Sequence, residues 1–137
     1  MVKLRLRRKG RAHHPVYDIV AVDGRKPRDG AFLDRIGFYD PNITPSEVRI
    51  DHERAIYWLN VGAQPTDILR RILSFEGVLL RRHLTFKGKS EAEIEVALEE
   101  HKKVVNDRFF RNKDKRKKRK EAKKIAEAEE QQQQQES

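Results

Sequence analysis

The chain has 137 residues, with 31 Lys and Arg against 22 Asp and Glu, giving a net charge of +9. Charged residues make up 39% and apolar ones 36%, where an average globular domain has ~25% and ~45–50%, so one compact globule along the whole length is excluded. The absence of Cys excludes disulfides, thiolate metal sites and Cys nucleophiles, and the longest apolar run, Ala55 to Leu59, is too short to cross a membrane. Met1 leads directly into alternating aliphatic and cationic residues, without the pattern of a signal peptide. The expectation is a soluble, intracellular, basic protein whose excess charge meets phosphate.

The stretch Val2-Lys3-Leu4-Arg5-Leu6-Arg7 alternates strictly. It predicts a strand with aliphatic residues on one face and cations on the other. Lys3, Arg5 and Arg7 then stand ~6.6–7 Å apart, a spacing that can follow successive backbone phosphates. With Arg8, Lys9 and Arg11 they make six cations in eleven residues, with no acid among them. Such a face also serves as a solvated edge that discourages aggregation, but the fork of Arg grips phosphate in a bidentate way. His13 and His14 follow as polar loop residues able to donate to phosphate. Adjacent side chains in an extended stretch point apart, which argues against a shared metal.

Val16 to Val22 is apolar on both faces except at Asp18, which suits a central strand. Asp23-Gly24 and Asp29-Gly30 signal turns. Between them Arg25, Lys26 and Arg28 converge on one loop stiffened by Pro27. Phe32 to Tyr39 predicts a third strand, closed by Asp40-Pro41. Tyr39, beside Arg35, is placed to stack on a base or ribose. Val48 and Ile50 mark a short fourth strand.

Two helices are expected next. Asp51 caps the first, Ala55, Ile56 and Leu59 form its buried stripe with Trp58 on the border, and Gly62 ends it. Thr66 caps the second; Ile68, Leu69, Ile72, Leu73 and Phe75 form a wide apolar face, and Gly77 stops it. Arg70 lies opposite that face and Arg71 on its flank, so both can reach a partner. The fold class is α+β, a small mixed β-sheet with two packed helices, plus a charged, partly helical C-terminal tail.

Composition breaks near Gly88. All seven Gly, all five Pro and eight of the ten aromatic residues lie at or before it. Residues 1–85 are taken as the folded domain and 86–137 as the tail. Ser90-Glu91-Ala92-Glu93 fits a capping box, and Ile94, Leu98, Val105 and Phe109 recur at helical spacing. Residues 111–124 carry ten basic and two acidic side chains, which either add nonspecific affinity or are simply solvated. Glu127 to Ser137, with five consecutive Gln, is expected to be disordered.

The motifs argue against a nucleophilic enzyme: there is no Gly-x-Ser-x-Gly elbow, and no P-loop or Gly-x-Gly-x-x-Gly occurs. His52-Glu53 opens like a zinc-protease helix, but Ile56 stands where the second His belongs. Asp18, Asp23, Asp29, Asp34 and Asp40 could hold Mg²⁺ for phosphodiester cleavage, although turn chemistry accounts for Asp23, Asp29 and Asp40. The residues by themselves do not separate an RNA binder from a nonspecific DNA binder, and a Mg²⁺-dependent nuclease is the enzymatic alternative.

Four longer stretches carry a resemblance. They are Pro15 to Asp23, Arg25 to Gly30, Ile36-Gly37-Phe38-Tyr39-Asp40-Pro41, and Tyr57-Trp58-Leu59-Asn60-Val61-Gly62-Ala63-Gln64-Pro65-Thr66. In this order, over about residues 1–80, they closely resemble the bacterial family of ribosomal protein number sixteen of the small subunit. The resemblance implies a small α+β protein that binds small-subunit (16S) rRNA and supports subunit assembly and translation, located on cytoplasmic ribosomes. It implies neighbouring small-subunit proteins as partners, and no cofactor, metal, membrane, small-molecule substrate or enzymatic role. Its RNA contacts would fall on the first strand and the following loop, on Arg25 and Arg28, and around Arg35 and Tyr39. The chain departs from the family at His13 and His14, where Lys or Arg is usual, and at Asp18, where a basic or neutral polar residue is common.

Overall fold

Alternation does not stop at Arg7. The computed structural model describes the backbone of residues 1–135 and the side chains of residues 1–128. In it, strand β1 runs Val2–Arg11 and turns through Ala12 and His13 into β2, His14–Asp23. Gly10 makes the tight return possible: its φ is +86°, and a Cβ there would lie 2.5 Å from the His14 carbonyl oxygen. His14 is therefore the first residue of a strand, paired with Arg11, and not a loop residue.

Strands β3 (Asp34–Asp40), β4 (Glu47–Ile50) and the two-residue β5 (Gln64–Pro65) complete one sheet, ordered β4-β3-β2-β1-β5. The apolar β2 is central, as its two buried faces require. The sheet is mixed because β5 runs parallel to β1 at Lys3 and Leu4 while the other pairs are antiparallel. The third strand begins later than its alternation predicts, and Leu33 instead donates its N–H to the Ala21 carbonyl at 2.8 Å. Between β2 and β3 there is a bulge. Ile19 pairs with Gly37 but Val20 with Arg35, which leaves Ile36 as the extra residue.

Helices α1 (His52–Asn60), α2 (Asp67–Phe75), α3 (Val78–Phe86) and α4 (Glu91–Gln135) follow. Helix α3 was not anticipated. Gly77 does end α2, with φ at +82°, but α3 starts on the next residue, so this glycine is a joint between helices. Asp51 caps α1 by accepting the Arg54 N–H at 3.2 Å. Thr66 occupies the cap position of α2 without a side-chain capping bond. Ser90 and Glu93 form the predicted reciprocal box, at 3.2 and 3.4 Å. Arg82 of α3 donates to Asn60 Oδ1 at 2.8 Å and to the Leu59 carbonyl at 3.4 Å, placing a cation at the negative end of α1.

The core lies on one side of the sheet. Leu4, Ile19, Ala21 and Ile36 meet Ala55, Leu59, Ala63, Leu69, Leu73 and Val78. Ile68 and Phe75 do not belong to the buried face of α2; Ile68 is largely exposed and Phe75 less so. At 100° per residue both lie about 100° or more around the helix from Leu69, so the narrow contact made by Leu69 and Leu73 leaves them outside.

The chain divides into two compact units, Met1–Leu98 and the part from Glu99 onward. The first includes α3 and the opening turns of α4, where Ile94 is buried. The helical backbone of α4 continues through Gln135, across much of the stretch expected to be disordered. A helix pairs its own backbone groups and needs no core to do so. Glu136 and Ser137 of that stretch lie outside the described residues. Among the described residues no helix is long and apolar enough to cross a membrane.

Candidate nucleic-acid interface

Strand parity decides which cations meet. Lys3, Arg5, Arg7, Lys9 and Arg11 pair across the ladder with Val22, Val20, Asp18, Val16 and His14. All five therefore project from the face opposite the helix-covered core. Val20 and Val22 are buried on this face although the helices pack on the other. The long aliphatic stems of the half-buried Lys3, Arg5 and Arg7 are suited to cover them while their charged ends stay wet. Arg8 has the other parity. It pairs with Tyr17, and its Nη2 donates to the Ala12 carbonyl at 3.1 Å, so it does not join Arg5 and Arg7.

The loop after β2 is fastened to the same face. Arg5 Nη2 donates to the Pro27 carbonyl at 2.6 Å and the Lys26 carbonyl at 3.3 Å. Arg5 thus positions the loop, while Arg25, Lys26 and Arg28 remain exposed. Arg7 lies over the Phe32 ring, 5.3 Å from its centroid, a contact that restrains the guanidinium without neutralising it. Asp23 accepts the Arg25 N–H at 3.0 Å, and that bond holds its carboxyl below the usual carboxylate range. Asp29 is likewise lowered, chiefly by its hydrogen bonds from Arg28. A lowered carboxyl contributes stability above its unfolded pKa, ~3.9, and loses it as pH falls through the folded value. Both loop contacts therefore persist at neutral pH and are released only in acid.

The acid in β2 has a definite place. Asp18 is 2% exposed and lies between Lys9 Nζ at 3.2 Å and Arg35 Nη2 at 3.0 Å. It anchors two cations from β1 and β3 whose own side chains are about half exposed. The sequence carried a signal for this, namely an acid in the middle of an apolar strand that follows a cationic one. The other carboxylates are also engaged: Asp34 accepts from Trp58 Nε1 at 3.0 Å and from Arg54 at 3.1 Å, and Asp40 accepts from Asn42 at 2.8 Å. Among the described residues no three His, Asp or Glu side chains are grouped to hold a metal ion.

The bulge separates two residues expected together. Arg35 projects on the Asp18 face, whereas Tyr39 pairs with Tyr17 on the core face, with ring centroids 6.1 Å apart. Tyr39 packs against the core and is not beside Arg35. Arg70 and Arg71 are exposed on α2, which packs on the Leu4 side of the sheet, so they do not join the β1 face. His13 sits in the hairpin turn, and His14 ends the cationic face opposite Arg11. Sequence reasoning missed Arg49 and Arg54, which line an open groove with Arg35 beside Ile36, Gly37 and Phe38. Each is already paired, Arg49 with Glu47 at 2.7 Å and Arg54 with Asp34 at 3.1 Å.

The assembled surface is a ribbon of cations, Lys3, Arg7, Lys9, Arg11, Arg25, Lys26 and Arg35, organised by Arg5 and Asp18. It offers many donors to anionic oxygens. Replacing Asp18 by Asn would leave both cations without their shared counter-charge. An exposed ion pair contributes ~0–1 kcal/mol, and pairs with one buried partner contribute more when broken from one side. Asp18→Asn is expected to cost about 1–2 kcal/mol, lowering the thermal midpoint by several degrees. Fluorescence melts of Trp58 read this, and an unchanged midpoint would remove Asp18 from its anchoring role.

A family model described as Ribosomal protein S16 matches residues 8–66. The chain is similar to the small ribosomal subunit protein bS16 of Salinibacter ruber, with 56% identity over 99 residues, 72% of this chain and 48% of that protein. It is 47% identical over 108 residues to the bS16 of Chlorobium phaeobacteroides, covering 79% of this chain and 81% of the relative. With the bS16 of Prosthecochloris aestuarii it shares 54% identity over 94 residues, 69% and 70% of the two chains. The match thus spans about half the length of the first relative and most of the other two.

Proposed function

The chain belongs to the ribosomal protein S16 family, and we propose that it is a structural constituent of the small ribosomal subunit that binds small-subunit rRNA. The role is structural and not catalytic. The observation that carries the reading is the shared face of β1. Five cations stand there at alternate positions of one strand, with Arg35 brought in beside them by Asp18 and the Arg25-Lys26 loop tied on by Arg5. Phosphate contacts of this kind supply affinity and register, while base contacts supply sequence. The core side of the same sheet is occupied by helices, so the sheet meets RNA with its other face. Binding there supports assembly by holding rRNA segments against a rigid ladder, with neighbouring small-subunit proteins as further partners, on cytoplasmic ribosomes.

Sedimentation of a cell lysate through sucrose tests the reading. The protein is expected with small subunits and is expected to leave them at high salt, as phosphate-dominated binding requires. Sedimentation with nucleoid DNA would support a DNA binder instead. EDTA-sensitive cleavage of labelled rRNA by the purified chain would support a nuclease.

A further inference from the structure

We infer that residues 111–124 of α4 form a second RNA-binding element, which grips the phosphate backbone of a duplex or folded rRNA segment independently of the β1 face. The inference rests on the proposal that rRNA is the partner, but on different residues. The run contains Arg111, Lys113, Lys115 to Lys120, Lys123 and Lys124, ten cations against Asp114 and Glu121. All fourteen side chains are exposed, on continuous helix. At 1.5 Å per residue they occupy about 21 Å of axis. Ten positive and two negative charges give a net of +8, roughly one positive charge per 2.6 Å. A nucleic-acid duplex carries about one negative charge per 1.7 Å, so the two densities are comparable and opposite.

The helix is arranged against its own electrostatics. Residues four apart face each other on a helix, and six such pairs here are cation on cation: 111 and 115, 113 and 117, 115 and 119, 116 and 120, 119 and 123, and 120 and 124. Like pairs at this spacing destabilise a free helix. Within the run, among the described residues, Lys123 pairs with Glu127 at 3.5 Å, and the other nine cations have no carboxylate within ion-pair distance. A polyanion along the axis supplies the missing counter-charge. The alternative polyanionic surface, an acidic membrane, is disfavoured by the pattern. Interfacial helices need an apolar face opposite the cations, and this run offers only Ala122 among fourteen residues.

The test uses the full chain with Lys113, Lys115, Arg116, Lys117, Lys118, Arg119 and Lys120 all changed to Gln, which forms helix about as well as Lys and Arg. Binding to small-subunit rRNA is titrated across salt. A duplex touching one side of the helix meets about half of these cations, so the slope of log affinity against log salt is expected to fall by roughly 2–3 units, at ~0.7–0.9 per phosphate. The melting midpoint followed by Trp58 is expected to stay at the wild-type value. A salt slope equal to wild type overturns the inference, and so does wild-type chain that binds phosphatidylserine vesicles more tightly than rRNA. The proposal for the β1 face fails separately, through the strand variant described below.

Discussion

Leu73→Ala is expected to cost about 2–5 kcal/mol, the range for a buried leucine truncated to alanine. Leu73 is 0% exposed and packs with Leu69, Val78 and the β-sheet residues Leu4 and Ile19 in one cluster. The first unit runs only from Met1 to Leu98. Domains of this size have a total stability of about 5–15 kcal/mol, with small ones at the low end, so the loss is a large share of the whole. Ile72, its neighbour in sequence, is only partly buried, and Ile72→Ala should cost clearly less. Urea titration followed by the fluorescence of Trp58, the only tryptophan, reports on this unit without the helical signal of α4. Equal losses at the two positions would mean that the α2 face is assigned wrongly.

Lys3→Gln, Arg7→Gln and Arg11→Gln made together should weaken rRNA binding and flatten its salt dependence by roughly 2–3 units, at ~0.7–0.9 per phosphate. The three alternate along the face opposite the core, and none carries a loop-tying bond like that of Arg5. A slope lower by roughly 2–3 units means that about 16–64-fold less affinity is lost between ~50 and ~200 mM salt. Gln preserves much of each stem, so the cover over Val20 and Val22 is kept and the fold should survive. Arg8→Gln removes one charge from the same strand but from the other face, and is expected to leave the slope unchanged, where loss of a contacting cation would lower it by ~0.7–0.9. A wild-type salt slope in the triple variant, with the protein folded, would remove the β1 face as the RNA contact.

Much of this surface was legible in the residues. Alternation in Val2 to Arg7 placed Lys3, Arg5 and Arg7 on one face, because a strand repeats every two residues whatever surrounds it. Asp51, Gly62, Gly77 and the Ser90–Glu93 box were legible for a similar reason: caps and left-handed glycines are local solutions to local backbone problems. Helix α3 was missed because Gly77 looks the same whether it ends a helical region or joins two helices.

Composition alone determined that this is a basic protein without Cys chemistry, with its Gly, Pro and most aromatic residues at or before Gly88 and a highly charged C-terminal part, since such totals do not depend on how the chain is arranged. Periodicity and local signals determined the first four strands in outline, the Asp51 and Ser90 caps and the cationic face of β1. Three matters were left to the tertiary structure. The bulge at Ile36 sent Arg35 and Tyr39 to opposite faces, and one extra residue in a strand reverses the parity of all that follows. Arg5 became the tie of the Arg25–Pro27 loop, and Asp18 the shared anchor of Lys9 and Arg35. Those roles depend on partners 9 to 22 residues away in sequence, and a side chain's partner at that range is set by which strands pair and in what register, which no local pattern specifies.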